Sequence, residues 1–187
     1  VADQATVTVT ESAAADAGTN GTLTVCETGA AVGLFGSLGG TPDVGGAWSG
    51  PSVVVGGNYD PATMTPGVYT YTVTGTAPCT NATATVTVAE TGSPDAGTSG
   101  VITVCESGVA IDLFAQLGGT PDAGGAWSGP SAVVGGQYDP ATMTAGVYTY
   151  TLAATPPCIA DQATVTVTES AAADAGTNGT LTVCETG

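Results

Sequence analysis

The sequence predicts an all-β protein of tandem antiparallel β-sandwich domains, arranged as beads in a rod or filament. Two observations carry this prediction: a composition rich in β-branched residues and a gapless internal repeat of 79 residues. Valine and threonine favour pleated, half-buried strands. Several short strands, separated by turn signals at regular spacing, are typical of an antiparallel sandwich.

The composition excludes several function classes. The 187 residues include 16 acidic side chains and no Lys, Arg or His. Without cations the chain cannot neutralise phosphates, so we expect no nucleic-acid partner. The most common general base, His, is missing as well, and we expect no enzymatic activity. The longest apolar runs fall far short of the roughly 18 residues that cross a bilayer, so we expect no membrane insertion.

The repeat sets the organisation of the chain. Residues 2–80 align without gaps on residues 81–159, and 53 of these 79 pairs are identical. Residues 160–187 are identical to residues 2–29, at an offset of twice 79. We interpret the chain as part of a longer polymer whose natural unit is a pair of slightly different domains. A chain cloned with overlapping ends is the alternative.

Breaker-rich segments mark the predicted domain boundaries. Small residues and glycine at 12–18 follow an alternating segment and are typical of a linker. We therefore predict two complete domains, at residues 17–91 and 96–170. Residues 1–12 are predicted to be the last strand of a preceding repeat, and residues 175–187 the first strand of a following one.

Short strand signals fill each predicted domain. In the first domain they lie at residues 23–27, 31–38, 52–55, 67–73 and 82–89. The period-2 pattern places Tyr69, Tyr71 and Val73 on one face of the fourth strand. Asp60-Pro61 predicts the cap and first position of a short helical turn.

The spacing of the cysteines predicts the disulfide bonds. Cys26 and Cys79 are 53 residues apart, as are Cys105 and Cys158, so we predict one disulfide within each domain. Such a bond compensates for a thin core and implies an oxidising compartment. Cys184 corresponds to Cys26 and is predicted to find its partner outside the chain. Pairing of Cys79 with Cys105 and metal ligation by paired thiols remain alternatives.

The repeated motifs resemble a known family. They include Leu-Thr-Val-Cys-Glu, Gly-Gly-Ala-Trp-Ser-Gly-Pro, Tyr-Asp-Pro-Ala-Thr, Gly-Val-Tyr-Thr-Tyr-Thr and Ala-Thr-Val-Thr-Val. Over essentially the whole chain they resemble the Ig-like tandem repeats of giant Bacteroidota cell-surface proteins, of the SprB-type gliding-motility adhesins exported by type IX secretion. The resemblance implies Ig-like domains and an extracellular location at the bacterial cell surface.

Three kinds of candidate site remain. Trp48 and Trp127 lie among glycines, where each either stacks on a sugar or plugs one end of a sandwich. Asparagines in sequons are candidate glycosylation sites, namely Asn20, Asn81 and Asn178. Acidic residues at the predicted junctions are candidate Ca²⁺ ligands, although no cofactor is required; these are Glu11, Asp16, Glu90, Asp95, Glu169 and Asp174.

The favoured function is structural. We expect a segment of an extracellular filament or adhesin that gives mechanical reach and attachment, with copies of itself as partners along or between filaments. One alternative is a glycan-binding module that recognises surface glycans through its tryptophans. The other is a fibre subunit polymerised by strand exchange, using the segments at residues 1–12 and 175–187.

Overall fold

The protein is all-β. The computed structural model describes residues 2–185, which contain two 3-10 turns, Phe35–Ser37 and Phe114–Gln116, and twelve strands. The strands are β1 (Gly21–Cys26), β2 (Val32–Gly33), β3 (Ala47–Ser49), β4 (Asn58–Tyr59), β5 (Gly67–Val73), β6 (Ala82–Thr91), β7 (Gly100–Cys105), β8 (Ile111–Asp112), β9 (Ala126–Ser128), β10 (Gln137–Tyr138), β11 (Gly146–Leu152) and β12 (Asp161–Ser170).

These residues form two compact units. Unit 1 contains residues 2–94 together with Ala154–Ile159. Unit 2 contains Asp95–Ala153 together with residues 160–185. Unit 1 therefore includes the short connection that joins β11 to β12 in the chain.

Unit 1 is built from a four-stranded sheet and a two-stranded sheet. The larger sheet has the order β1-β6-β5-β3, and the smaller one pairs β2 with β4. β1 runs parallel to β6, with Gly21 opposite Val86 and Cys26 opposite Thr91. The other pairs are antiparallel. A parallel pair needs a long crossover connection, and here strands β2 to β5 provide it.

A tyrosine-rich core fills unit 1. Period-2 alternation turns Tyr69 and Tyr71 of β5 inward, where they are at most 2% exposed. The Tyr69 hydroxyl donates to the carbonyl of Thr65 (2.6 Å), as in a tyrosine corner. The Tyr71 hydroxyl donates to the carbonyl of Asp43 and accepts from the N–H of Gly46, both at 2.8 Å. The core thus buries large rings without leaving their hydroxyls unpaired.

Unit 2 has the same plan. Its larger sheet has the order β7-β12-β11-β9, its smaller sheet pairs β10 with β8, and β7 is parallel to β12. Tyr138, Tyr148 and Tyr150 occupy its core together with Leu113 and Val165. The residues that turn inward are those that lie 79 positions after their counterparts in unit 1.

The clearest strand signals are confirmed. The predicted strand at 67–73 coincides with β5, and its predicted inward residues are all buried. The predicted strand at 82–89 is β6, which continues to Thr91. The signal at 23–27 corresponds to β1. Asp60 caps a hydrogen-bonded turn, since its carboxylate accepts from the N–H of Ala62 and from the Thr63 hydroxyl.

Other strand predictions were wrong. Residues 52–55 form no strand, because the chain turns at once through Gly56 and Gly57, which adopt positive φ angles of 62° and 76°. The apolar stretch at 31–38 contributes only β2 before it enters a 3-10 turn. The described parts of 1–12 and 175–187 contain no strand, but both were assigned to strands of neighbouring repeats, and these two assignments stay predictions.

Candidate functional site

The most distinctive chemical feature is a disulfide between two cysteines that were not predicted to pair. Cys26, the last residue of β1, bonds to Cys158, which lies 132 positions later in the segment Ala154–Ile159 of unit 1. Both cysteines are buried, at 9% and 8% exposure. The Sγ of Cys158 also lies 3.3 Å from the carbonyl oxygen of Thr91, the residue opposite Cys26 in the sheet.

The predicted bond between Cys26 and Cys79 was wrong, and the parallel register explains why. Cys26 lies beside Thr91 at the end of β6, whereas Cys79 precedes Ala82 at its beginning. Ala82 to Thr91 is nine residue steps, about 30 Å at roughly 3.3 Å per step. A disulfide joins Cα atoms less than about 7 Å apart, so this bond cannot form.

The same topology excludes the second predicted bond. Cys105 lies opposite Ser170 at the end of β12, and Cys158 precedes Asp161 at its beginning. Cys158 is instead the partner of Cys26. In the part of the chain that the structure describes, the free cysteines are Cys79, Cys105 and Cys184.

Two candidate calcium ligands lie next to buried tyrosines. The Tyr59 hydroxyl donates to Oε1 of Glu90 at 2.6 Å, and Tyr138 makes the same bond to Glu169. Burial, reinforced by the hydrogen bond to the carboxylate, raises the pKa of both tyrosines well above the ordinary value of about 10. Sequence analysis missed this pairing, although Tyr59 and Glu90 recur together 79 residues later.

Asp16 and Asp95, two more candidate calcium ligands, form backbone hydrogen bonds near the beginning of each unit. The N–H of Asp16 donates to the carboxylate of Asp43 (2.9 Å), and the N–H of Asp43 donates back to the carbonyl of Asp16. Asp95 and Asp122 make the same pair of bonds in unit 2. No sequence pattern predicted this contact, which spans 27 positions.

The other two candidate calcium ligands, Glu11 and Asp174, are exposed. The Asp174 carboxylate accepts only the N–H of Gly176. Among residues 2–185, no three His, Cys, Asp or Glu side chains come together in a group that would hold a metal ion. Calcium binding stays a prediction.

The sequon asparagines of unit 1 make backbone contacts. Oδ1 of Asn20 accepts the N–H of Thr85 at 2.9 Å, and Oδ1 of Asn81 accepts the N–H of Gly75 at 3.0 Å. Asn178 is exposed. These bonds assign the first two side chains a role in holding the fold, and glycosylation stays a prediction.

The tryptophans are half-buried on the sheets. Trp48 packs against Tyr71 with ring centroids 5.0 Å apart, and Trp127 packs against Tyr150 at 5.1 Å. Each indole also lines a shallow surface depression beside a pair of glycines. One face of each ring therefore supports the core, while part of the ring stays accessible.

The comparisons with known proteins add no relative. No protein-family model matches the chain. No curated protein is significantly similar to it. Within residues 2–185, no helix has the length and apolar character needed to span a bilayer.

Proposed function

We propose that the chain is a load-bearing structural segment of an extracellular filament or adhesin at a bacterial surface, giving mechanical reach and attachment. The observation that carries the proposal is the disulfide between Cys26 and Cys158. A pulling force on the chain passes through this bond and bypasses the segment between the two cysteines, which are 132 positions apart in the sequence. The folded strands inside this loop are thereby shielded from extension.

The composition supports the same function. The chain has a formal net charge of −16 and no Lys or Arg, so copies repel one another and proteases of trypsin specificity find no site. The tandem Ig-like arrangement in the proposed filament follows from the repeat of 79 residues. Disulfides persist in oxidising compartments, which agrees with an extracellular location.

Single-molecule extension tests the proposal. The chain is pulled from its two ends with and without a reductant. With the bond intact, we expect extension only of the segments outside Cys26 and Cys158. Reduction releases 132 further residue steps, roughly 450 Å of contour at about 3.3–3.6 Å per step. Equal extension in both conditions would contradict a load-bearing role for the bond.

A proteolytic cut tests the same covalent path in bulk. Gly92 is exposed, and a side chain added there meets no atom within 4 Å, so Gly92→Lys introduces a unique trypsin site with little strain. We expect the cut chain to migrate as one species without reductant and as two fragments with it. Ala171→Lys, which lies outside the loop, is the control and yields two fragments in both conditions.

Glycan binding is a second candidate function, favoured by the accessible part of each indole. Oligosaccharides added to the chain are then expected to change tryptophan fluorescence, and binding measured by isothermal titration calorimetry is lost when Trp48 and Trp127 are both replaced by Phe. Replacement by Phe preserves an aromatic ring against Tyr71 and Tyr150, so we expect the double variant to stay folded and to lose only its indoles. An unchanged spectrum across a broad oligosaccharide panel would remove this candidate.

A further inference from the structure

Two free cysteines occupy the positions of the bonded pair, one repeat away. Cys105 lies 79 positions after Cys26, and Cys79 lies 79 positions before Cys158. The bonded pair is Cys26 with Cys158, while Cys79 and Cys105 are free. Each free cysteine is therefore the counterpart of one half of an observed disulfide.

The surroundings of Cys79 match those of Cys158. The Sγ of Cys79 lies 3.5 Å from the carbonyl oxygen of Ser12, and the Sγ of Cys158 lies 3.3 Å from that of Thr91, which is 79 positions after Ser12. The two differ in burial, since Cys158 is 8% exposed and Cys79 is only half-buried. Cys79 thus occupies the position beside Ser12 that Cys158 occupies beside Thr91, but in the described chain it is not bonded to another cysteine.

The surroundings of Cys105 match those of Cys26. Cys105 ends β7 opposite Ser170, as Cys26 ends β1 opposite Thr91. Cys26 is buried, whereas Cys105 is exposed.

The neighbouring residues show the same contrast. Val25 is 4% exposed, but its counterpart Val104 is only partly buried. In unit 1, the end of β1 contributes to a groove that Pro157 of the bonded segment also lines. The matching surface at the end of β7 therefore has the residues of the groove but no segment that covers it.

The Cys105 thiol is exposed and hydrogen-bonded to Ser107. The Ser107 hydroxyl lies 3.3 Å from its Sγ, and hydrogen bonding from Ser107 lowers the pKa of the Cys105 thiol. A lower pKa increases the fraction of thiolate, which is the nucleophile in thiol–disulfide exchange.

We propose that Cys105 and Cys79 are complementary halves of a second junction, in which Cys105 of one copy of the repeat forms a disulfide with Cys79 of another copy. The segment that contains Cys79 then covers the open groove at the end of β7. The inference deepens the proposed structural function and rests on it. A set of such bonds links every repeat covalently to another.

The reaction balances with a small-molecule disulfide such as oxidised glutathione. The Cys105 thiolate attacks one glutathione sulfur, forms a mixed disulfide and releases one glutathione thiolate. The Cys79 thiolate then attacks the Cys105 sulfur and displaces the second glutathione. Two protein thiols are oxidised by two electrons, and one glutathione disulfide is reduced to two thiols.

The flanking sequences label each half of the junction. Cys105 is followed by Glu-Ser-Gly and Cys26 by Glu-Thr-Gly, while Cys79 is preceded by Ala-Pro and Cys158 by Pro-Pro. The proposed register joins the Glu-Ser-Gly peptide to the Ala-Pro peptide. Bonds within one sheet would join it to the Pro-Pro peptide instead, so peptide mass mapping separates the two registers.

Complementation between two variants tests the proposal. One variant carries Cys79→Ser and the other Cys105→Ser, and both carry Cys184→Ser. Each variant is oxidised with oxidised glutathione, alone and in an equimolar mixture. We expect covalent dimers only in the mixture, with the Glu-Ser-Gly peptide joined to the Ala-Pro peptide. Retention of the bond between Cys26 and Cys158 in each variant confirms that both fold.

The second copy can come from a separate chain or from the same polypeptide. For the latter, the chain is extended in frame after Gly187 by a second passage through residues 30–187, with Cys79→Ser in the first copy and Cys105→Ser in the second. The same peptide pair in a monomer then places the bond within one polypeptide. Dimers of either variant alone, a bond from Cys79 to Cys105 within one unextended chain, or no bond in both experiments would overturn the proposal. The extension experiment on the bond of Cys26 is independent of this outcome.

Discussion

Removing the disulfide is expected to lower the free energy of unfolding by about 5 kcal/mol. The perturbation is the double substitution Cys26→Ser and Cys158→Ser. The bond closes a loop of 132 sequence positions, and for a loop of about this length the chain-entropy model gives roughly 5 kcal/mol at 25 °C. This is a substantial fraction of the total stability of an ordinary domain.

The assay must follow both units, because the loop contains residues of each. Differential scanning calorimetry resolves their transitions, and the unfolding free energies are summed for the intact and the substituted chain. The matched control is Cys79→Ser with Cys105→Ser, which removes the same number of cysteines but no bond. A summed loss below about 1 kcal/mol, or an equal loss in the control, would contradict a stabilising role for the bond.

Two further substitutions test the tyrosine core. Tyr71→Phe is expected to cost about 1–3 kcal/mol in urea unfolding, because two part-buried hydrogen bonds, from the N–H of Gly46 and to the carbonyl of Asp43, are lost at roughly 0.5–1.5 kcal/mol each. Tyr59 has a raised pKa through burial and the Glu90 carboxylate, so its contribution to stability is intact below about pH 10 and is lost as the pH rises towards the folded-state pKa. Alkaline unfolding of unit 1, followed by circular dichroism, is therefore expected to begin above about pH 10 and to shift to higher pH in Tyr59→Phe; an unshifted transition would contradict this.

The sequence predicted correctly the strands whose alternating residue pattern matches the strands and core that they pack against. β5 alternates strictly, and its inward positions carry the large rings that the core needs, so both its bounds and its buried face were predictable. The three valines at 53–55 have strand propensity, but Val53 and Val55 are 84% and 78% exposed. Propensity alone does not produce a strand when the pairing is limited to the single bridge that Val55 makes to Asn58 across the turn.

The cysteine register could not be predicted from spacing. Equal intervals of 53 residues fit one bond per domain, but the interval does not reveal that β1 runs parallel to β6. The contact between Asp16 and Asp43 was missed for a similar reason, since it depends on how a distant turn folds back onto the beginning of the unit. Contacts between distant residues depend on the order and direction of the strands. The repeat indicates that one topology occurs twice, but it does not specify that topology.

The topology also changes what the disulfide does. In a sheet whose first strand runs parallel to its last, a cysteine that ends the first strand and one that precedes the last strand lie at opposite ends. Two such cysteines cannot form a disulfide within their own sheet, and Cys26 is instead bonded to Cys158. The core of a unit is held together by its tyrosines, whose hydroxyls are hydrogen-bonded to the backbone, and the disulfide adds a covalent connection outside the sheet. A unit whose total stability exceeds the roughly 5 kcal/mol that the bond contributes stays folded when the bond is reduced, which is the behaviour that the proposed load-bearing role requires.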